Sequence, residues 1–449
     1  MNMKKYDIYL THKDGEEKIK KYNIEEIIRE NVKGTENSIK INTENKYQKI
    51  LGFGGALTEA SAYTLSKLDE KAKKEVLSSY YDSEEGIGYT FGRVHINSCD
   101  FSLGNYTYVE ENDMTLESFT LDRDEKYVLP LVREVKEITN DNLTILASPW
   151  SPPSYMKSNG EMNNGGKIKE EFMQLWADYY VKYIKKMKEK DIDIWGVTVQ
   201  NEPAAIQVWD SCEYTAEEER DFVKNYLGPT FHKNNLQDKK IIIWDHNRDI
   251  AYERAKVILE DEEAAKYVYG TGIHWYMSEE FANTSKIHND FPDKHIIFTE
   301  GCQEGGVHLG SWDTGERYGR NIIGDLNNYI EVWIDWNIAL DETGGPNHVG
   351  NLCDAPIIVD TKEKKVHYNS SFYYIAHFSK FIKPNAVRVE SSVAGEKIHA
   401  LACINKDNTL CIVIMNESDE NRIVDINIDN EDYPIELKAH SIYTFVENK

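Results

Sequence analysis

Residues 194–203 read IWGVTVQNEP: an alternating, β-branched run that ends on Asn201 and Glu202 and is stopped by a proline. Such alternation predicts a strand, and Pro203 ends it. A carboxylate at the end of a buried strand is costly unless it is paired or used. The neighbours that the chain supplies to Glu202 therefore carry the interpretation of the whole sequence.

Seven further runs of the same type surround this one: KILGFGG (49–55), YTFGRVHIN (89–97), LTILASPW (143–150), KIIIWDHN (240–247), GTGIHWY (270–276), HIIFTEG (295–301) and EVWIDWNIAL (331–340). Segments of helical period separate them. Between the third and fourth runs, Phe172, Leu175, Trp176, Tyr179, Tyr183, Ile184 and Met187 recur at the spacing of one helix face, which reads as core contact and not as a cofactor box. Eight strand–helix units over roughly 330 residues predict an α/β chain folded as a (β/α)8 TIM barrel. A doubly wound sheet is the alternative, but GFGGAL (52–57) does not match the Gly-rich turn G-x-G-x-x-G that such sheets place after their first strand. Beyond Lys383-Pro384 the helical period disappears, and short alternating runs from AVRVE (386–390) to HSIYTFV (440–446) predict an antiparallel β module. SIKINTENKYQKI (38–50) alternates in the same way, so this module is expected to draw on both termini. Residues 1 to about 30, with YNIEEIIREN (22–31), have no assigned place.

A chain of 449 residues accommodates one large domain and a smaller one. The net charge of −25 argues against nucleic acid or an anionic membrane as partner, since both require a basic field. Cys99, Cys212, Cys302, Cys353, Cys403 and Cys411 are scattered without a C-x-x-C pair, which suits reduced thiols. The first residues contain no apolar signal core, and no run of about 18 apolar residues occurs, so a cytoplasmic protein without a membrane element is expected.

In a barrel, chemistry gathers at the C-terminal ends of the strands. Arg93 and Asp100 follow run two, Trp150 closes run three, and Asn201 and Glu202 close run four. His274, Trp275 and Tyr276 end run six, Glu300 ends run seven, and Trp336 and Asn337 stand late in run eight. Glu202 and Glu300 thus face each other across one mouth. Double-displacement glycoside hydrolysis needs such a pair, one carboxyl to protonate the leaving oxygen and one to attack the anomeric carbon. Asn201 is placed to hold a sugar 2-OH, and Arg93 and Tyr276 to steady the charge of the nucleophile. Each residue alone also has a plain structural reading: a solvated cap for Glu202, a turn for Glu300, core for Trp150 and Trp336. It is their joint occurrence at matching strand ends that favours a site.

No G-x-S-x-G elbow, P-loop or H-E-x-x-H motif is present. His246, His274 and His308 lack metal-ligand spacing, so satisfied hydrogen bonds are expected for them and no metal or cofactor is called for. Asp313 reads as a helix-start residue and Cys302 as a small packing group.

The segments GFGGALTEA, GRVHINSCDFS, LASPWSPPSYMKSNG, VTVQNEP, HWY, FTEG, LGSWDTGERYGRNIIGDLNN and WIDWNIALDETGGPNHVGNLCDAPIIVD together resemble glycoside hydrolase family 30, most of all its glucosylceramidase branch. The resemblance implies a barrel over residues 49–383 and a β-sandwich built from residues 1–48 and 384–449. It implies retaining chemistry without a metal, on a β-glucoside or a related β-glycoside. It puts the acid/base on Glu202, the nucleophile on Glu300, and sugar contacts on Arg93, Asp100, Trp150, Asn201, His274, Tyr276, Trp336 and Asn351. β-Xylosidase, β-fucosidase and β-1,6-glucanase activities share that frame, and a non-catalytic sugar-binding protein would lack one of the carboxylates.

Overall fold

The computed structural model of the chain describes residues 5–29 and 37–448. Eight parallel strands close into a barrel in chain order: Gly52–Ala56, Phe91–Ile96, Thr144–Pro149, Ile194–Thr198, Lys240–Asn247, Val268–His274, His295–Glu300 and Val332–Asn337. Each overlaps one of the eight expected runs. Strand one is glycine-rich because its neighbour crowds it: a Cβ on Gly54 would stand 2.2 Å from the carbonyl oxygen of Phe91 on strand two. Outside the barrel, helix Met173–Glu189 buries Trp176, Tyr179, Tyr183, Ile184 and Met187, the stripe its spacing predicts, and leaves Leu175 half-buried.

The two-residue period of a strand sorts the lumen into layers. Phe91, Leu146, Ile242, Ile297, Val332 and Ile334 form an apolar cluster inside the sheet. Two residues further along their strands, on the same side, come Arg93, Ser148 and Trp336. The lumen therefore passes from an apolar floor to a polar mouth. Arg93 stands within strand two, not after it, and its guanidinium reaches the mouth from below.

The second domain is one nine-stranded sheet. Tyr6–His12, Lys20–Asn23 and Asn37–Ile50 come from the N-terminal part; Ala386–Ala394, Ile398–Ile404, Leu410–Asn416, Arg422–Ile428, Glu431–Leu437 and Ser441–Glu447 come from the C-terminal part. All neighbours are antiparallel except Asn37–Ile50 beside Arg422–Ile428. The sheet curls on itself. Tyr6, near one edge, meets Tyr433 of the opposite edge strand with ring centroids 5.8 Å apart, and the enclosed core includes Ile8, Ile39, Ile412, Ile426 and Phe445. Residues 22–29 now have a place: the end of an edge strand, a single helical turn Ile24–Ile27, and a bridge from Ile28 to Ile435. Residues 30 and 31 lie outside the described part. The domains are joined by buried polar contacts, among them His377 of helix Ser370–Ser379, bonded to Thr444 and Thr11 of the sheet.

Candidate active site

The polar mouth opens into a cavity of about 460 Å³. Eight of the ten residues singled out from the sequence line it: Asp100, Trp150, Asn201, Glu202, Tyr276, Glu300, Trp336 and Asn351. The other two, Arg93 and His274, expected as sugar contacts, are instead fully buried behind that wall and bonded to its members.

Arg93 is the hub. Its Nη1 donates to Glu300 Oε2 at 2.5 Å, Nη2 donates to Asn201 Oδ1 and Asp245 Oδ2, each at 2.9 Å, and Nε donates to Ser148 Oγ at 3.0 Å. The guanidinium also lies 4.8 Å from the Trp150 ring centroid and 5.5 Å from that of Trp336, and these two indoles stack at 5.3 Å. A buried charge is tolerable only when paired and hydrogen-bonded on all sides. Arg93 meets that condition with two carboxylates, an amide and a hydroxyl. Because Asn201 Oδ1 accepts from Arg93, the amide is oriented with its NH2 group as the remaining donor. Tyr276 OH donates to the other Glu300 oxygen at 2.8 Å, so both oxygens of this carboxylate are held.

Glu202 is placed differently. Strand four ends at Thr198, shorter than the sequence run, yet the chain stays bound to its neighbours: Val199 N donates to Ile242 O, Asn201 N to Pro149 O and Glu202 N to Asp245 O. Glu202 adopts φ +50°, a left-handed backbone that costs a non-glycine residue free energy and is found where a side chain must be aimed. Its carboxylate makes only long contacts, at 3.4 Å to His274 Nδ1 and to Gln207 Nε2, and at 3.8 Å to His246 Nδ1.

Strand five carries two residues that were not among the expected site residues, Asp245 and His246. Its register slips between Ile243 and His246, with Trp244 at φ +71° and Asp245 at φ +51°. This bulge turns Asp245 and His246 toward the mouth. Asp245 is fully buried; it accepts from Arg93 and, at 2.6 Å, from Thr299 Oγ1 of strand seven, and it engages His274 Nε2 at 3.0 Å. The signal was present in the polar WDHN that closes the apolar run KIII, at the kind of strand end that also supplied Trp150, Glu202, Tyr276, Glu300 and Trp336. Gln207 and Trp209, which also line the cavity, lie on the loop after strand four and had no such signal.

The expectation for the histidines needs correction. His274 is satisfied, but His246 Nδ1 is buried without a hydrogen-bond partner. Neighbouring strand ends also bring one ligand atom each of Glu202, His246 and His274 within 4.8 Å of one another, a grouping that sequence spacing cannot show. His308 stays apart, with its ring against the Glu304 carbonyl.

The charges of the site are coupled. Burial disfavours the His274 imidazolium, but the charge of Glu300 and the bonds to Asp245 and Glu202 outweigh it and raise the ring to about 9. Burial likewise opposes ionisation of Glu202, yet His246 and His274 more than compensate and hold it below the ordinary carboxylate range. Burial pushes Glu300 up, with His274 and Arg93 pulling it back. The lowering of Glu202 depends on positive charge on His246 first and on His274 second. With both rings neutral, the short bonds from Arg93 and Tyr276 favour negative charge on Glu300 over Glu202. At the cavity wall, burial raises Asp100 to about 7 despite the bond from Asn351 Nδ2 at 3.1 Å, and Asn347 Nδ2 donates to the same oxygen at 3.2 Å.

Two carboxylates facing one cavity at the mouth of a (β/α)8 barrel, over stacked indoles, define a glycoside hydrolase. Residues 50–382 match the glycosyl hydrolase family 30 TIM-barrel domain and residues 385–445 the family 30 beta sandwich domain. The chain belongs to glycoside hydrolase family 30. It is 37% identical to the lysosomal acid glucosylceramidase of Mus musculus over 413 residues, covering 88% of this chain and 80% of that one. It is 27% identical to the endo-1,6-beta-D-glucanase of Neurospora crassa, over 84% and 80% of the two chains. Among solved structures, SrfJ from Salmonella typhimurium superposes with a TM-score of 0.94 at 31% identity, covering 99% of this chain and all of that one.

Proposed function

We propose that this glycoside hydrolase is a retaining β-glucosidase in which Glu202 is the acid/base and Glu300 the nucleophile. The observation that carries the assignment is the difference in contacts. Glu300 is locked by Arg93 and Tyr276 on both oxygens, as a group that must be ionised and aimed requires, while Glu202 has only contacts of 3.4 Å or more and faces the cavity. In the first step Glu202 gives its proton to the glycosidic oxygen, the bond from that oxygen to the anomeric carbon breaks, and a Glu300 oxygen bonds to the carbon. In the second step Glu202 takes a proton from water, the hydroxyl bonds to the anomeric carbon, and Glu300 leaves as carboxylate. Asn201, Asp100, Asn351 and the Trp150–Trp336 stack are assigned to the sugar. Arg93 and His274 position the carboxylates from behind.

The glucosylceramidase relative supports glucose as the sugar and an apolar aglycone. The cavity rim supports the aglycone independently: Ala204, Ala205, Trp209, Ile250 and Met277 line it, and Ile206 and Val208 of the same loop are exposed. A glucosylated lipid, and with it a part in sphingolipid metabolism, fits this rim. The six cysteines, buried and unpaired, support a reducing, cytoplasmic setting. The Neurospora relative favours a second reading, a β-1,6-glucanase.

Product stereochemistry tests the roles. Glu300→Gly fails on every glycoside, and azide entering its cavity yields an α-glucosyl azide. Glu202→Ala still reacts with a dinitrophenyl glucoside, whose leaving group needs no proton, and azide then yields the β-azide. The opposite stereochemistry by NMR would reverse the assignment. A panel of aryl β-glucoside, β-xyloside and β-fucoside alongside β-1,6-glucan identifies the sugar.

A further inference from the structure

The ends of strands four, five and six bring three metal-ligating atoms to one point. His274 Nδ1 lies 3.4 Å and His246 Nδ1 3.8 Å from Glu202 Oε1, and the set lies within 4.8 Å throughout. Ligand atoms about 2.0–2.1 Å from one tetrahedral ion are separated by roughly 3.3 Å, so the edges of 3.4 and 3.8 Å are near the required length and the third, no longer than 4.8 Å, must shorten on binding.

Two further features belong to a metal site and not to a chance cluster. His274 presents Nδ1 to the group while Nε2 is engaged at 3.0 Å by Asp245 Oδ1, and that carboxylate is itself held by Thr299 and Arg93. A carboxylate behind a ligating imidazole fixes the ring and raises its basicity. His246 Nδ1, on a side chain that is 11% exposed, has no hydrogen-bond partner. A buried imidazole nitrogen without a partner costs free energy, and an ion at this point would satisfy it. Glu202, Asp245 and Glu300 surround the point against the Arg93 guanidinium and the His274 ring, so the local field stays net negative and attracts a cation.

We infer that Glu202, His246 and His274 form a site for a divalent first-row transition ion, such as Zn2+ or Co2+, and that its occupation switches the hydrolase off. The ion takes the lone pairs of Glu202 Oε1 and of both Nδ1 atoms, displacing to solvent any proton carried there, and keeps an open position toward the cavity for water. Two imidazoles and one carboxylate suit these ions better than Mg2+ or Ca2+, which prefer all-oxygen sets. A Glu202 oxygen committed to a metal can neither deliver a proton to the leaving group nor take one from water. Inhibition is therefore reversible by chelation.

The test uses the whole chain of 449 residues, first stripped with EDTA. One equivalent of CoCl2 is expected to give visible d–d bands, and calorimetric titration with ZnCl2 a stoichiometry of one per chain. This readout needs no substrate, so its outcome is separate from the glucosidase reading. Zn2+ is expected to inhibit hydrolysis, and EDTA to restore it. His246→Phe, which keeps the ring against Trp244, is expected to weaken Zn2+ by about tenfold or more, with each variant measured against its own metal-free rate. His308→Phe leaves the constant unchanged. If His246→Phe does not fold, as judged by circular dichroism, His246→Leu takes its place. Absence of d–d bands, or a Zn2+ constant equal in wild type and the His246 variant, overturns the proposal.

Discussion

Arg93 donates to Glu300 at 2.5 Å from a position with no solvent access, and the same guanidinium binds Asp245 on the far side. One cation beneath the mouth thus orders two carboxylates, one of which faces the cavity while the other holds His274. Removing it leaves both carboxylates buried without their guanidinium, Asp245 with His274 and Thr299 and Glu300 with Tyr276.

Arg93→Met is therefore expected to lower kcat/KM by about 10²–10³-fold. It should also destabilise the fold by about 3–5 kcal/mol, the range for breaking a buried ion pair. Arg93→Lys keeps the charge but cannot reach four acceptors from one ammonium, so it restores little of either. Kinetics on an aryl glucoside and urea unfolding check both; a Lys variant with wild-type kcat/KM refutes the fork geometry.

Asp100 is expected to make the activity depend on pH. Burial raises its carboxyl to about 7, so below that pH it is neutral and accepts sugar hydroxyls less well. The sign is a fall in kcat/KM as pH drops through about 7. Asp100→Asn is expected to cost about 1–3 kcal/mol in transition-state binding at pH 8 and to flatten that limb. A limb of unchanged midpoint in the Asn variant excludes Asp100 as its source.

The rim predicts a preference for long aglycones. Ile206, Val208 and Met277 are 65%, 63% and 69% exposed beside the cavity, a cluster of apolar surface that a bound chain would cover. Each fully covered methylene is worth about 0.8 kcal/mol, so kcat/KM should rise by up to about fourfold per methylene from methyl to octyl β-glucoside. Met277→Ser should reduce the slope. A flat series across chain lengths removes the apolar-aglycone reading.

His377 couples stability to pH at the joint between the domains. Thr444 spends its hydroxyl proton on the His377 carbonyl and so accepts from Nδ1–H, while Thr11 accepts from Ile19 N and donates to Nε2. This pairing fits only the neutral ring, and burial lowers its pKa from 6.5 to about 3. The unfolded chain binds a proton near 6.5 that the native state refuses. Stability is therefore complete above about pH 6.5 and is lost as the pH falls from there toward about 3, by up to about 1.4 kcal/mol per unit. Urea unfolding at about pH 7.5, 6 and 5 should show a steeper decline in wild type than in His377→Gln, and equal slopes would contradict it.

The barrel was legible in the sequence because each strand is a local signal. A β-branched run of about five to eight residues that stops at a turn or a polar pair needs no distant partner to be recognised, and the strand ends then nominate Asn201, Glu202, Tyr276, Glu300 and Trp336. Three things needed the tertiary structure. The bulge that re-aims Asp245 and His246 is a property of strand pairing, since an extra residue is defined only against a neighbour's register. The burial of Arg93 beneath the mouth depends on the closed lumen, where Phe91 below it and the carboxylates above it meet from different strands. The convergence of Glu202, His246 and His274 spans 72 residues of chain, and spacing along a sequence carries no distance across a barrel. What the sequence determined by itself is which side chains each strand offers at its end; how close they come, and hence their charge states and shared ligands, was decided by closing the sheet.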